Sequence, residues 1–276
     1  MKILCALSED FRSDNTVRFA CNLAQATKAE LVCLYVTQEK GDGPSRDADL
    51  ENVRKKLTGS ACDFKSLSGA PVKTILKETR KGEYDLVVLG ARMRMTFVEQ
   101  ILGSVPQLVL AKAPSSVLVV RGQGTEVKRI LICTGGKAYA EPAIETGISL
   151  ARSLQAKVTL LHVTIALPSM YTGLDGMEEQ LSEFLQTDTP EARHLRWACK
   201  RIEEAKVDGE LLLRRGAVTD EILREAVMGE HDLMILGAPL PKRPLAEYFL
   251  GDVTKLVLSR AEIPLMVVRQ PSPAQS

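Results

Sequence analysis

The chain reads as an α/β protein made of two tandem, doubly wound domains, each with a five-stranded parallel sheet. Three observations predict this. The sequence repeats itself, each copy alternates short apolar runs with segments of helical periodicity, and the apolar runs are continuous rather than alternating. A strand covered on both faces has no polar side, so unbroken apolar runs belong to a parallel sheet with helices on either face.

The repeat is read directly. Residues 3–36 lie on residues 130–163 at a constant shift of 127. Residues 69–91 (GAPVKTILKETRKGEYDLVVLGA) lie on 216–238 (GAVTDEILREAVMGEHDLMILGA) at a shift of 147, with 12 of 23 positions identical. Unrelated segments of ordinary composition would share a position or two. The run from Leu102 to Arg121 lies on Leu250 to Arg269 at a shift of 148. The second copy therefore carries 20 extra residues after its second strand and one more after its fourth. The boundary is expected in Gly122 to Thr125, which has linker composition, giving domains 1–124 and 125–276.

In the first copy, strands are expected at Lys2 to Leu7, Glu30 to Val36, Phe64 to Leu67, Tyr84 to Leu89 and Val117 to Val120. Helices are expected at Asp14 to Thr27, Asp47 to Leu57, Val72 to Thr79 and Ser104 to Ala111. The second copy's insertion, near 168–209, predicts a helical segment at Met177 to Leu185 and a helix opening at Pro190, with Thr189 as its N-cap. Leu195, Ala198, Ile202 and Ala205 form one apolar stripe on that helix, so the insertion reads as an elaborated crossover packed on its own sheet, with a lid or an interface as the alternative.

Composition excludes several functions. Thirty-six basic against 35 acidic residues leave a net charge of +1, so no general field draws nucleic acid or a membrane surface. No apolar stretch reaches the roughly 18 residues of a membrane helix, and the first residues turn polar at Ser8 too soon for a signal peptide. Six cysteines without a Cys-x-x-Cys pair read as reduced thiols of a cytoplasmic protein. The three histidines, His162, His194 and His231, lack ligand spacing and read as structural or surface residues.

An open parallel sheet binds ligands beyond the carboxyl ends of its strands, where the strand order reverses. That places chemistry in the loops after the first and fourth strands. The first loop begins Ser8, Glu9, Asp10 in one copy and Gly135, Gly136, Lys137 in the other, and shows no acid-base pair common to both. The fourth-strand loop of the first copy runs Gly90, two residues, Met93, nine residues, then Gly103, Ser104, Val105. Glycines let backbone amides approach phosphate oxygens, and Ser104 is placed to cap a helix whose N-terminus attracts anions.

This loop, within its repeated frame, resembles the Gly-x2-Gly-x9-Gly-Ser/Thr nucleotide loop of ATP-binding universal stress proteins, and each whole copy is similar to that family's domain, an adenine nucleotide alpha hydrolase-like fold. The resemblance implies that Gly90, Met93, Gly103, Ser104 and Val105 face the phosphates, that Val36 lines the base pocket and that Ser8 lies near the ribose. It implies ATP or AMP in the first domain, no metal, a non-enzymatic stress-response role and an intramolecular pseudo-dimer, with a homodimer also open. The departures weaken the site. ATP-binding members carry Asp where Ser8 and Gly135 stand, and glycine where Met93 and Leu240 stand. In the second copy Asp252 replaces the serine and Pro239, Pro241 and Pro244 stiffen the loop, so no nucleotide is expected there. The alternative is a nucleotide-free scaffold or apolar-ligand carrier; an ATP hydrolase is disfavoured by the missing Asp.

The apolar last strands, Val117 to Val120 and Leu265 to Val268, would be sheet edges that invite pairing. The expectation is that they pair within one chain, so that consecutive amides of both exchange with deuterium as slowly as those of the first strand. Fast exchange at every second amide of each would mean two free edges.

Overall fold

The computed structural model describes residues 1–7, 14–37, 62–91, 104–136, 140–164, 177–238 and 251–269. They divide into two compact units, one holding Met1–Glu126 and the other beginning at Val127. The first comprises β1 (Lys2–Leu7), α1 (Asp14–Thr27), β2 (Glu30–Thr37), β3 (Asp63–Ser68), α2 (Pro71–Lys81), β4 (Leu86–Gly90), α3 (Val105–Lys112) and β5 (Ser116–Val120). Its strand order is β3-β2-β1-β4-β5, and the pairings are parallel. The helix expected at 47–57 lies outside the described residues.

The second unit comprises β6 (Arg129–Thr134), α4 (Glu141–Leu154), β7 (Lys157–Thr164), α5 (Met177–Gln186), α6 (Pro190–Glu204), β8 (Gly209–Arg215), α7 (Val218–Met228), β9 (Leu233–Gly237), α8 (Asp252–Arg260) and β10 (Leu265–Val268). Its order is β8-β7-β6-β9-β10, again parallel. The two orders are the same topology. In each, the order reverses between the first and fourth strands, which fixes where the crevice lies.

The central strands show why continuous apolar runs were required. Ile3, Leu4 and Cys5 are consecutive and fully buried, as are Ile130, Leu131 and Ile132. Neighbouring side chains on a strand point to opposite faces, so both faces are covered. On the α1-equivalent helix, Gly147 stands where a Cβ would lie 2.3 Å from Ile132, so α4 packs closely on β6. The edge strands β3 and β8 are only partly covered, with no fully buried residue in either.

A buried carboxylate recurs in both units. Glu78 of α2 accepts from the Lys65 ammonium at 2.7 Å and from the Tyr84 hydroxyl at 3.2 Å. Glu225, its counterpart in α7, accepts from Arg214 at 2.8 Å and pairs with His231 at 3.4 Å. Each triad ties an edge strand to the helix behind it and to the entry of the next strand. Burial, then Glu78, pushes the Tyr84 phenol up to about 12. The intervening glycines are forced: a Cβ on Gly82 would lie 2.1 Å from the Tyr84 ring, and one on Gly229 2.4 Å from His231.

A buried carboxylate that loses a charged donor forfeits about 1.5–3 kcal/mol. The Lys65 side chain is 42% exposed and that of Arg214 26%, so water can replace Lys65 more readily. Urea midpoints should therefore fall for both Lys65→Met and Arg214→Met, and further for Arg214→Met. Equal losses would mean that exposure does not set the cost.

Candidate functional site

In the first unit the crevice lies beyond the carboxyl ends of β1 and β4. Gly90 is the last residue of β4, registers with Val120, and is followed by an Ala91 amide that donates to the Val120 carbonyl at 3.0 Å. Val36 sits near the end of β2, buried and registered with Leu67. Ser104 is the N-cap of α3. Its hydroxyl accepts from the Gln107 amide at 3.4 Å, and the Gln107 side chain accepts from the Ser104 amide at 2.8 Å, closing a capping box. Val105 opens the helix, exposed, with Pro106 behind it. Ser8, Met93 and Gly103 lie outside the described residues.

Helix α3 starts with its backbone donors partly satisfied and with a hydroxyl whose proton is still free to be donated by chemistry. The second unit differs at the same place. Helix α8 begins at Asp252 behind Gly251, without a side-chain cap. The Asp252 side chain is 88% exposed and lies 3.8 Å from the Lys255 ammonium one turn on. A carboxylate in the first turn suits the helix dipole, and by the same token stands where an anionic ligand would need the positive end.

The β6–β7 side of the second crevice holds side chains that the sequence did not bring together. The Thr134 hydroxyl accepts from the Gly136 amide at 3.1 Å and lies 2.9 Å from His194 Nε2. His162 donates from Nδ1 to the Thr134 carbonyl at 2.9 Å. Phe184 of α5 stacks near His162 with centroids 6.3 Å apart, and Trp197 tilts against His194 at 5.7 Å. Gly136 has φ +71, and a Cβ there would meet Glu191 and His162 at 3.0 Å. The insertion's helices α5 and α6 thus lay Phe184, Glu191 and His194 over the ends of β6 and β7.

The histidines take the structural one of the two roles expected. All three are buried, none on the surface: His162 and His194 here and His231 in the Glu225 triad. The Thr189 cap of α6 forms as expected, accepting from the Ala192 amide at 3.2 Å, and Leu195, Ala198 and Ile202 are buried. The cluster was illegible because Thr134 and His194 are 60 residues apart. Its one signal was that His162 and Thr134 replace Tyr35 and Leu7 of the first copy.

Cys5 registers with Cys33 across β1 and β2, and Cys62 immediately precedes β3. The Cys5 contact and burial push the Cys33 thiol far up, and burial pushes Cys62 up to about 12. Thiols held protonated are poor nucleophiles. Among the described residues, no group of three or more His, Cys, Asp or Glu side chains could hold a metal ion. Nor is any helix of the described residues long and apolar enough to cross a membrane.

Two units, each a doubly wound parallel sheet whose order reverses between its first and fourth strands, define a tandem α/β protein. The universal stress protein family model matches residues 1–121 and again 126–269, and the chain belongs to that family. It is 29% identical to the universal stress protein MJ0531 of Methanocaldococcus jannaschii over 155 residues, 55% of this chain and 88% of that protein. It is 24% identical to the universal stress protein YxiE of Bacillus subtilis over 146 residues, 51% of this chain and 98% of that one. A crystal structure of a universal stress protein from Archaeoglobus fulgidus is similar over 98% of this chain and 96% of its own, with TM-score 0.71 and 17% identity. That likeness is one of fold.

Burial holds His194 below the usual imidazole value, with His162 adding to the effect, and burial does the same to His231 against the pull of Glu225. As pH falls through about 6.5 the unfolded chain takes up these protons before the folded one does. Stability is therefore full above that pH and is lost below it. Thermal melts between pH 8 and pH 5 should show the midpoint falling on the acid side, with a shallower fall in His194→Gln. Parallel curves for the two proteins would show that His194 carries none of the effect.

Proposed function

We propose that this universal stress protein is a non-enzymatic stress-response regulator that binds an adenine nucleotide, ATP or AMP, in the crevice of the first domain and not in the second. The observation that carries the reading is the contrast between the two helix starts. A serine with a completed capping box opens α3, and an exposed carboxylate opens α8. Gly90, Met93, Gly103, Ser104 and Val105 would face the phosphates, Val36 the base and Ser8 the ribose, on the family resemblance.

Magnitudes favour the first domain. Two unit charges 4 Å apart repel by about 1 kcal/mol in water and about 4 kcal/mol at an effective dielectric near 20. Loss of a hydroxyl bond to a charged oxygen removes about 1.5–3 kcal/mol more. If Met93 must adopt a left-handed backbone, it costs about 1–2 kcal/mol, less than the second domain's combined penalty. The side chains over β6 and β7 add a steric obstacle there. The resemblance also supports the pseudo-dimer, with the two domains associated within one chain.

Ligand released from denatured, purified protein and identified by mass spectrometry separates this reading from the nucleotide-free one: ATP or AMP supports it, and lipid supports an apolar-ligand carrier. Calorimetric titration with ATP should then show one site per chain. Ser104→Asp should abolish that site, while Asp252→Ser should add no second one. Unchanged affinity in Ser104→Asp would place the nucleotide elsewhere.

A further inference from the structure

The first unit carries a run of positive charge that its crevice loops do not include. Lys73, Lys77 and Lys81 stand at i, i+4 and i+8 of α2, all exposed, and line one groove of about 780 Å³ between that helix and β3. Among the described residues no carboxylate pairs with any of the three. Glu78, the carboxylate in the groove wall, is taken by Lys65 and Tyr84. Like charges four apart on a helix repel and weaken it, so the helix itself gains nothing from this run.

The second unit shows the same frame with its charge answered from within. The counterparts of Lys73, Thr74, Lys77 and Lys81 are Asp220, Glu221, Arg224 and Met228. Glu221 folds back over the turn ahead of α7. Its carboxylate lies 3.1 Å from where a Cβ on Gly216 would stand, and Arg224 pairs with it. Asp220 is met by Arg260 at 2.8 Å. At the matching turn of the first unit, a Cβ on Gly69 would meet the neutral Thr74 hydroxyl at 2.8 Å. The first turn of α2 holds no acidic residue, and Ala70 gives it no side-chain cap. One unit thus supplies its own anion at this place, and the other presents lysines without one.

We propose that the β3–α2 groove binds a linear chain of condensed phosphates, with one end at the uncapped first turn of α2 and the rest along Lys73, Lys77 and Lys81. The three lysines span about 12 Å along the helix axis. A chain charged at every unit can meet all of them without a fixed register, and first-turn amides suit phosphate oxygens. Lysine binds phosphate as a point charge. The groove lining includes no aromatic ring on which a nucleic-acid base could stack, and none of the large exposed apolar side chains that a membrane would take up. An added peptide strand is not favoured either, because Phe64 and Ser68 of β3 already have partners.

The probe is inorganic polyphosphate of medium chain length, titrated calorimetrically into the full chain at low and at physiological salt. Saturable binding that weakens with salt is expected, because each lysine that meets a phosphate releases a counterion. The double variant Lys77→Gln, Lys81→Gln should bind about tenfold or more weakly. Thr74→Glu, which copies the second unit's carboxylate and leaves every lysine in place, should also weaken binding. Far-UV circular dichroism checks that both variants keep the fold. Ser104→Asp should bind polyphosphate as tightly as the unchanged protein, which separates this groove from the nucleotide crevice. Equal affinity for a polyglutamate of the same charge would overturn the assignment to phosphate, and tighter binding of an oligothymidylate of the same charge would give the groove to nucleic acid instead. Absence of saturable binding at low salt, or unchanged affinity in both groove variants, would overturn the site.

Discussion

The first strand of each unit has a hydrogen-bonded neighbour on both sides and a covered surface on both faces. β1 lies between β2 and β4, and β6 between β7 and β9. The backbone polar groups at the centre of such a strand are satisfied by the ladders, and the Lys2 and Arg129 amides at the strand starts by the Asp85 and Asp232 carboxylates, so the central side chains can be wholly apolar. The remaining architecture follows from this. Crossovers must leave by the carboxyl end to reach the helices, and because successive crossovers diverge to either side of the central strand, a crevice opens at its carboxyl end. The crevice therefore lies beyond β1 and β4 in one unit and beyond β6 and β9 in the other.

Against that common frame the two units have diverged by side chain rather than by topology. The Glu78 and Glu225 triads keep the same carboxylate and the same neighbouring glycine, while the partners change from Lys65 and Tyr84 to Arg214 and His231. A buried carboxylate constrains its surroundings strongly, since any partner must supply hydrogen bonds in place of water. The helix starts are less constrained and have separated further. Ser104 still completes a capping box, and Asp252 does not.

The insertion of the second unit gives a physical account of that separation. Thr134 receives the Gly136 amide and meets His194, and Glu191 and His162 crowd Gly136 so closely that a side chain there has no room. A crossover elaborated in this way lays its side chains over the ends of β6 and β7. The first expectation for the insertion, a helix packed on its own sheet, holds for its apolar stripe, and α6 also reaches the crevice through His194.

Strand and helix order, the repeat and the N-caps at Ser104 and Thr189 were legible in the sequence, because each depends on residues close together in the chain. Apolar periodicity reports local burial, and a hydroxyl three residues before its target amide reports a cap. The sequence by itself determined the family and the two copies. The tertiary structure alone decided which distant side chains meet: His194 with Thr134, Cys5 with Cys33, and Lys65 with Glu78. It also brought Arg260 of α8 to Asp220 of α7. Such contacts are set by register and by crossover packing, which place residues tens of positions apart side by side, and no local pattern in a single sequence encodes that distance.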